Sequence, residues 1–171
     1  MKNNIDPQHE FARALARTLL ERNWKIALAE SCTGGLVCAT LTDLAGSSDW
    51  FERGYVTYSN TAKTDCLGVP AETIDTFGAV SEPVAKAMAE GARSHADVNI
   101  AIAVTGIAGP TGGSPEKPVG TVCFGWAIKR NIDQDVVDTI TSTMHFAGDR
   151  QTVREQARDY ALSKLLELLQ A

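Results

Sequence analysis

The chain has 171 residues, enough for one domain with a full hydrophobic core and no need of disulfide or metal staples. A hydrophobic fraction of 44% and a charged fraction of 22% are those of an ordinary globular protein, while a net charge of -5 argues against a general nucleic-acid binder, which needs clustered Lys and Arg. The N-terminus, MKNNIDPQHEFARALARTLLERN, lacks the apolar run of a signal peptide, and no stretch approaches the ~20 apolar residues that span a bilayer, so neither a membrane nor nucleic acid is expected as a partner.

Residues 6–23 are predicted to form an amphipathic helix. Phe11, Leu15 and Leu19 recur at four-residue spacing, and Asp6-Pro7 supplies a cap followed by proline at the first helical position. Lys25–Ala29 reads as a short strand and residues 33–45 as a helix closed by Gly46. Gly54–Ser59 alternates aromatic and β-branched residues, which predicts a strand. Two short helical turns over 60–68 and 70–77 are broken by Gly68 and Pro70. Ser81-Glu82-Pro83 opens a helix to about His95, with Val84, Met88 and Ala92 on one face. Val98–Thr105 is almost wholly apolar, as in a strand buried on both faces, and Gly106–Pro118 is a loop rich in Gly and Pro. Val119–Lys129 and Asp135–His145 read as an antiparallel hairpin around Asn131–Asp133. Gly148-Asp149 caps a last helix running to about Leu169, with Val153, Ala157, Ala161, Leu165 and Leu168 on its core face. This order predicts an α/β fold, a three-layer α/β/α sandwich on a mixed sheet. Without a repeat, linker or second domain, it is expected as a single domain over 1–171.

Three segments carry chemistry. Ala29-Glu30-Ser31-Cys32-Thr33-Gly34-Gly35 lies where a strand hands over to a helix. A nucleophile there has unpaired N–H groups beside it to hold an oxyanion, and the glycines let a substrate approach the backbone. Ser31 is equally well explained as an N-cap at this point. Tyr58-Ser59-Asn60-Thr61-Ala62-Lys63 runs from a strand end into a helix, a usual place for site residues in α/β proteins. No histidine lies in any of the three segments, so Lys63 is the candidate base, provided burial lowers its pKa; most lysines are simply solvated. Val104–Thr121 opens from a buried strand into a glycine-dense loop suited to an anion, without a nucleotide fingerprint. Ser114-Pro-Glu-Lys117 matches S-x-x-K, but among prolines and glycines it reads as chance. Arg150 can reach a phosphate or lie free on the surface. Cys32, Cys38, Cys66 and Cys123 show no C-x-x-C spacing, and His9, His95 and His145 are scattered; this points to free thiols, a cytoplasmic location and no metal.

Together, AESCTGG (29–35), GSSxWFxRGxVTYSNxAK (46–63), GAVSEPV (78–84), TGIAGPxGGSxEKPVGTV (105–122) and GDRxxVRxQA (148–157) resemble the C-terminal domain of the competence/damage-inducible protein CinA, in the expected order and over nearly the whole chain. Larger members carry an N-terminal domain for which this chain has no room, so the likeness is to the stand-alone form. The resemblance implies a Ser–Lys amidohydrolase, requiring no metal or organic cofactor, that converts nicotinamide mononucleotide to nicotinate mononucleotide and ammonia in pyridine-nucleotide salvage. By position, Ser31 is the nucleophile and Lys63 the base. Cys32, Thr33, Gly34, Tyr58, Thr105, Gly106 and Arg150 are the expected substrate contacts. A small nucleotide substrate and further copies of the chain are the expected partners. Two other readings stay open: Cys32 as a thiolate nucleophile, and a non-catalytic module that binds or senses a pyridine nucleotide.

Overall fold

Two strands of this chain alternate large and small apolar residues, and that alternation sorts the helices into layers. A computed structural model describes residues 8–130 and 136–170. Its elements are α1 (Gln8–Arg22), β1 (Ile26–Glu30), α2 (Leu36–Thr42), β2 (Phe51–Val56), α3 (Asn60–Leu67), α4 (Ala71–Phe77), α5 (Glu82–Ala96), β3 (Ile100–Gly106), β4 (Thr121–Ile128), β5 (Asp138–His145) and α6 (Arg150–Gln170). The sheet order is β2-β1-β3-β4-β5, with β1 parallel to β2 and β3, and β4 antiparallel to both its neighbours.

The large strand residues Ile26, Leu28, Ile100, Ile102 and Val104 are buried against α1, α2 and α6, through Leu15, Leu19, Val37, Leu41, Val153 and Leu165 among others. The small ones, Ala29, Ala101, Ala103 and Ala127, meet Leu67 of α3, Ile74 of α4, and Val84, Met88 and Ala92 of α5. Successive side chains of a strand point to opposite faces, so this alternation builds the three-layer α/β/α sandwich on a mixed sheet. Each large side chain taken from water contributes roughly 1.5–3 kcal/mol. On the small face α5 comes close: a Cβ added to Gly125 would sit 2.5 Å from the Ala85 carbonyl oxygen and 3.2 Å from Ala89 Cβ.

Several boundaries differ from the sequence expectation, each for a local reason. β2 begins and ends earlier than 54–59, because Ser59 leaves the sheet to cap α3, its Oγ accepting the Ala62 N–H at 3.0 Å. α2 is shorter than 33–45, because Gly34 (φ 59°) and Gly35 (φ 97°) hold a left-handed turn that delays helical pairing to Leu36. β3 starts two residues later than expected and extends to Gly106. β4 and β5 pair as the expected hairpin, Thr121 with His145 and Ile128 with Asp138. The expected turn at Asn131–Asp133, the strand start at Asp135 and the Asp6-Pro7 cap lie outside the described residues. Asp149 caps α6, its Oδ1 accepting the Thr152 N–H at 2.8 Å. Among the described residues no helix is long and apolar enough to cross a membrane.

This topology positions the site. The chain leaves β1 toward α2, on the α1/α6 face, and leaves β2 toward α3, on the α5 face. Adjacent strands whose exits diverge open a crevice at their carboxyl ends.

Gly125→Ala is expected to cost about 1–3 kcal/mol, because an extra methyl forces β4 and α5 apart. Urea denaturation measures it, and an unchanged midpoint would show that the layers can part freely.

Candidate active site

Ser31 directly follows β1, and its N–H donates to the Val104 carbonyl of β3 at 2.9 Å. Thr57 directly follows β2, and its N–H donates to the Glu30 carbonyl at 2.8 Å. Lys63 stands in the first turn of α3 and is 1% exposed, although most lysines keep their ammonium in water. Its Nζ donates to the Thr57 carbonyl at 2.9 Å and lies 3.1 Å from Ser31 Oγ. A carbonyl and a hydroxyl offset little of the cost of burying a cation. Burial therefore pushes the Lys63 pKa below its ordinary value, with only the nearby Cys32 sulfur opposing it.

The turn that carries Ser31 is held from two sides. Glu30, the last residue of β1, is fully buried. Its Oε2 accepts the N–H groups of Gly35 at 3.0 Å and Val37 at 3.2 Å, and its Oε1 accepts that of Cys38 at 2.8 Å. From α6, Arg154 Nη2 donates to the Thr33 carbonyl at 2.8 Å. The expectation that Ser31 opens a helix and draws on its first N–H groups is thereby corrected. The N-cap is Gly35, and at the start of α2 the N–H groups of Gly35, Val37 and Cys38 belong to Glu30, while that of Leu36 goes to the Thr33 carbonyl. The Ser31 turn keeps the N–H groups of Cys32 and Thr33, which no other residue among the described ones accepts. Sequence reasoning gave Glu30 and Arg154 no role. Their signals are an acidic residue on a buried strand just ahead of a helix, and a second arginine one turn after Arg150.

Cys32 is 6% exposed, and burial pushes its thiol up to about 12. Its own N–H, Arg154 and Lys63 work against the shift, and the Glu30 carboxylate adds to it. Such a thiol stays protonated at neutral pH, the opposite of what a thiolate nucleophile needs.

The remaining candidates gather at the carboxyl ends of β1, β2 and β3, each with a protein contact of its own. The Tyr58 side chain is largely exposed, and its hydroxyl accepts from Arg150 Nη2 at 2.8 Å. Arg150 Nη1 donates to the Gly109 carbonyl at 2.9 Å, so this guanidinium ties the end of β2 to the glycine-rich loop. Thr105 Oγ1 donates to the Ala79 carbonyl at 2.8 Å. Gly106 packs on β4, where an added Cβ would lie 2.9 Å from the Thr121 carbonyl oxygen. Thr33 and Thr57 are buried, and their hydroxyls have no hydrogen-bond partner among the described residues. Lys117 Nζ donates to the Phe77 carbonyl at 2.7 Å, which makes Ser114-x-x-Lys117 part of a loop anchor. An open cleft of about 510 Å³, lined by Leu36, Asp149, Arg150, Gln151, Arg154 and Glu155, shares both arginines with the site.

Residues 8–169 match the CinA C-terminal domain family. The chain is 48% identical over 158 residues to the nicotinamide-nucleotide amidohydrolase PncC of Enterobacter agglomerans, covering 92% of this chain and 93% of that one. It is 50% identical over 164 residues to a putative competence-damage inducible protein of Symbiobacterium thermophilum, covering 95% of this chain and 38% of that longer protein. The fold matches the crystal structure of the competence damage-inducible protein A (ComA) of Klebsiella pneumoniae with a TM-score of 0.88 at 42% identity, covering 95% of this chain and 97% of that one.

The buried amine sets a pH dependence of stability that needs no substrate to detect. A lysine whose pKa is depressed in the folded state binds fewer protons there than in the unfolded chain, so folding becomes more favourable as pH rises through the depressed value toward ~10.4. The wild type is therefore expected to gain stability relative to Lys63→Met across that window, by urea denaturation at several pH values. Parallel pH curves for the two proteins would contradict the assignment of a depressed pKa.

Proposed function

Since the chain belongs to the CinA C-terminal domain family, we propose that it hydrolyses the carboxamide of nicotinamide mononucleotide, with Ser31 as nucleophile and Lys63 as base. The observation that carries this reading is the 3.1 Å approach of a buried lysine amine to a serine hydroxyl at the crevice between β1 and β2.

The chemistry follows from the contacts. Neutral Lys63 spends one N–H on the Thr57 carbonyl, which fixes the amine beside Ser31. Its lone pair accepts the Ser31 proton as Oγ attacks the carboxamide carbon. The carbonyl oxygen becomes an oxyanion, held by the N–H groups of Cys32 and Thr33. Collapse of the tetrahedral intermediate passes the proton from Lys63 to the leaving nitrogen and releases ammonia. Water, deprotonated in turn by Lys63, then cleaves the ester to give nicotinate mononucleotide. Thr33, Gly34, Tyr58, Thr105, Gly106 and Arg150 form the substrate side, with the phosphate toward the arginines that line the cleft. The product re-enters pyridine-nucleotide salvage, in the cytoplasm. A module that only bound the nucleotide would gain nothing from a lysine amine buried against a serine, and a cysteine route is disfavoured by the protonated Cys32 thiol.

Ammonia release from nicotinamide mononucleotide, and far less from nicotinamide, is the expected activity, because remote phosphate binding orients the reacting amide. Ser31→Ala is expected to abolish it while leaving nucleotide binding measurable by calorimetry, and Cys32→Ala to retain most of it. A dead Cys32→Ala beside an active Ser31→Ala would reassign the nucleophile.

For the base, the rate is expected to rise with pH along one ionisation whose apparent pKa lies well below the ~10.4 of a free lysine. Lys63→Ala and Lys63→Arg should each lose roughly 10²–10⁴-fold in turnover, since a guanidinium cannot accept a proton. An active Lys63→Arg enzyme with an unchanged pH profile would exclude the role.

A further inference from the structure

A nucleophile placed ahead of a helix ordinarily draws on the free N–H groups of the first turn to hold its oxyanion. In this chain those groups are already taken, that of Leu36 by the Thr33 carbonyl and the others by a residue that neither the family likeness nor the proposed reaction assigns. Glu30 continues the alternation of Ile26 and Leu28, which face α2 and α6, so an apolar side chain would suit its position. A carboxylate is there instead, fully buried; it accepts three main-chain N–H groups, those of Gly35, Val37 and Cys38, and also meets the Cys38 thiol. Burying a charge is costly unless it is hydrogen-bonded, and three N–H donors on two oxygens meet that need. The bonds run from the last residue of β1 across the Ser31 turn to the first turn of α2, and so close residues 31–34 into a fixed loop. Within that loop the Cys32 and Thr33 N–H groups are the ones with no acceptor in another of the described residues.

Taking Ser31 as the nucleophile, as above, we propose that Glu30 is a positioning residue: its carboxylate absorbs the N–H groups of α2 and sets the turn so that those of Cys32 and Thr33 serve the oxyanion. Burial keeps the adjacent Cys32 thiol protonated, and the same carboxylate adds to that, where the free N-terminus of a helix would activate a cysteine.

The test uses Glu30→Gln, whose amide has one acceptor oxygen and sets its NH₂ against a main-chain N–H. The readout is the rate at which a fluorophosphonate phosphonylates Ser31, its Oγ displacing fluoride, because this needs an oxyanion site but no nucleotide. Glu30→Gln is expected to label at least ~10-fold more slowly, by comparison with the larger losses seen when an oxyanion donor is removed outright. Leu41→Ala, buried on the core face of α2, destabilises the same helix without touching the turn and should label at the wild-type rate. Glu30→Asp keeps the charge but withdraws it by one methylene, and should label at a rate between the two. The assignment is overturned if Glu30→Gln labels at the wild-type rate, if it and Leu41→Ala slow together, or if wild-type Ser31 is not labelled. Should the amide variant fail to fold, an aspartate variant labelling at the wild-type rate overturns it equally. A labelled wild type that releases no ammonia from nicotinamide mononucleotide defeats the substrate reading alone.

Discussion

The contact on which the rest depends is that of the Lys63 amine with the Ser31 hydroxyl, buried together at the carboxyl ends of two parallel strands. A lysine in water is an ammonium, useless as a base and content to stay exposed. Holding it inside costs stability, and the packing that offsets this cost is the sheet itself. Large residues on one face bind α1, α2 and α6; small residues on the other let α5 and its neighbours close down. α3 is started at a fixed point by Ser59, which puts Lys63 within reach of Ser31 across 32 residues of sequence.

Electrostatics around the nucleophile is arranged by exclusion. The buried Glu30 carboxylate occupies the positive end of α2 and adds to the burial that keeps Cys32 a thiol. Among the described residues no carboxylate bonds to its Nζ, so desolvation lowers the Lys63 pKa with no ion pair to raise it. One charge is thus held close to the turn, and burial disfavours another at Lys63 beside it. That division suits acyl transfer, in which negative charge must develop on the substrate oxygen and nowhere else.

Much of this was legible in the residues. The apolar run Val98–Thr105 and the capping pair Gly148-Asp149 located β3 and α6, because burial on both faces and N-capping leave local marks. Ser31 and Lys63 were legible as candidates, and more firmly through the family likeness, but not as neighbours: their proximity is made by strand order, a long-range property. The start of α2 was misplaced because two consecutive glycines in left-handed geometry look, in sequence, like a permissive helix entry. Glu30 was passed over because its value lies in three N–H partners five to eight residues on, which spacing alone does not reveal. For Arg150 the sequence leaves both a phosphate contact and a free surface position open; its bonds to Tyr58 and Gly109 join segments 92 and 41 residues away, which no local spacing reveals.

The most direct measurement is where the substrate becomes covalently attached. Turnover of nicotinamide mononucleotide quenched in acid, followed by peptide mapping by mass spectrometry, locates the acyl group. An ester on Ser31, carrying the mass of nicotinate mononucleotide less one water, is the expected result. The same acyl group on Cys32 would contradict the serine–lysine assignment.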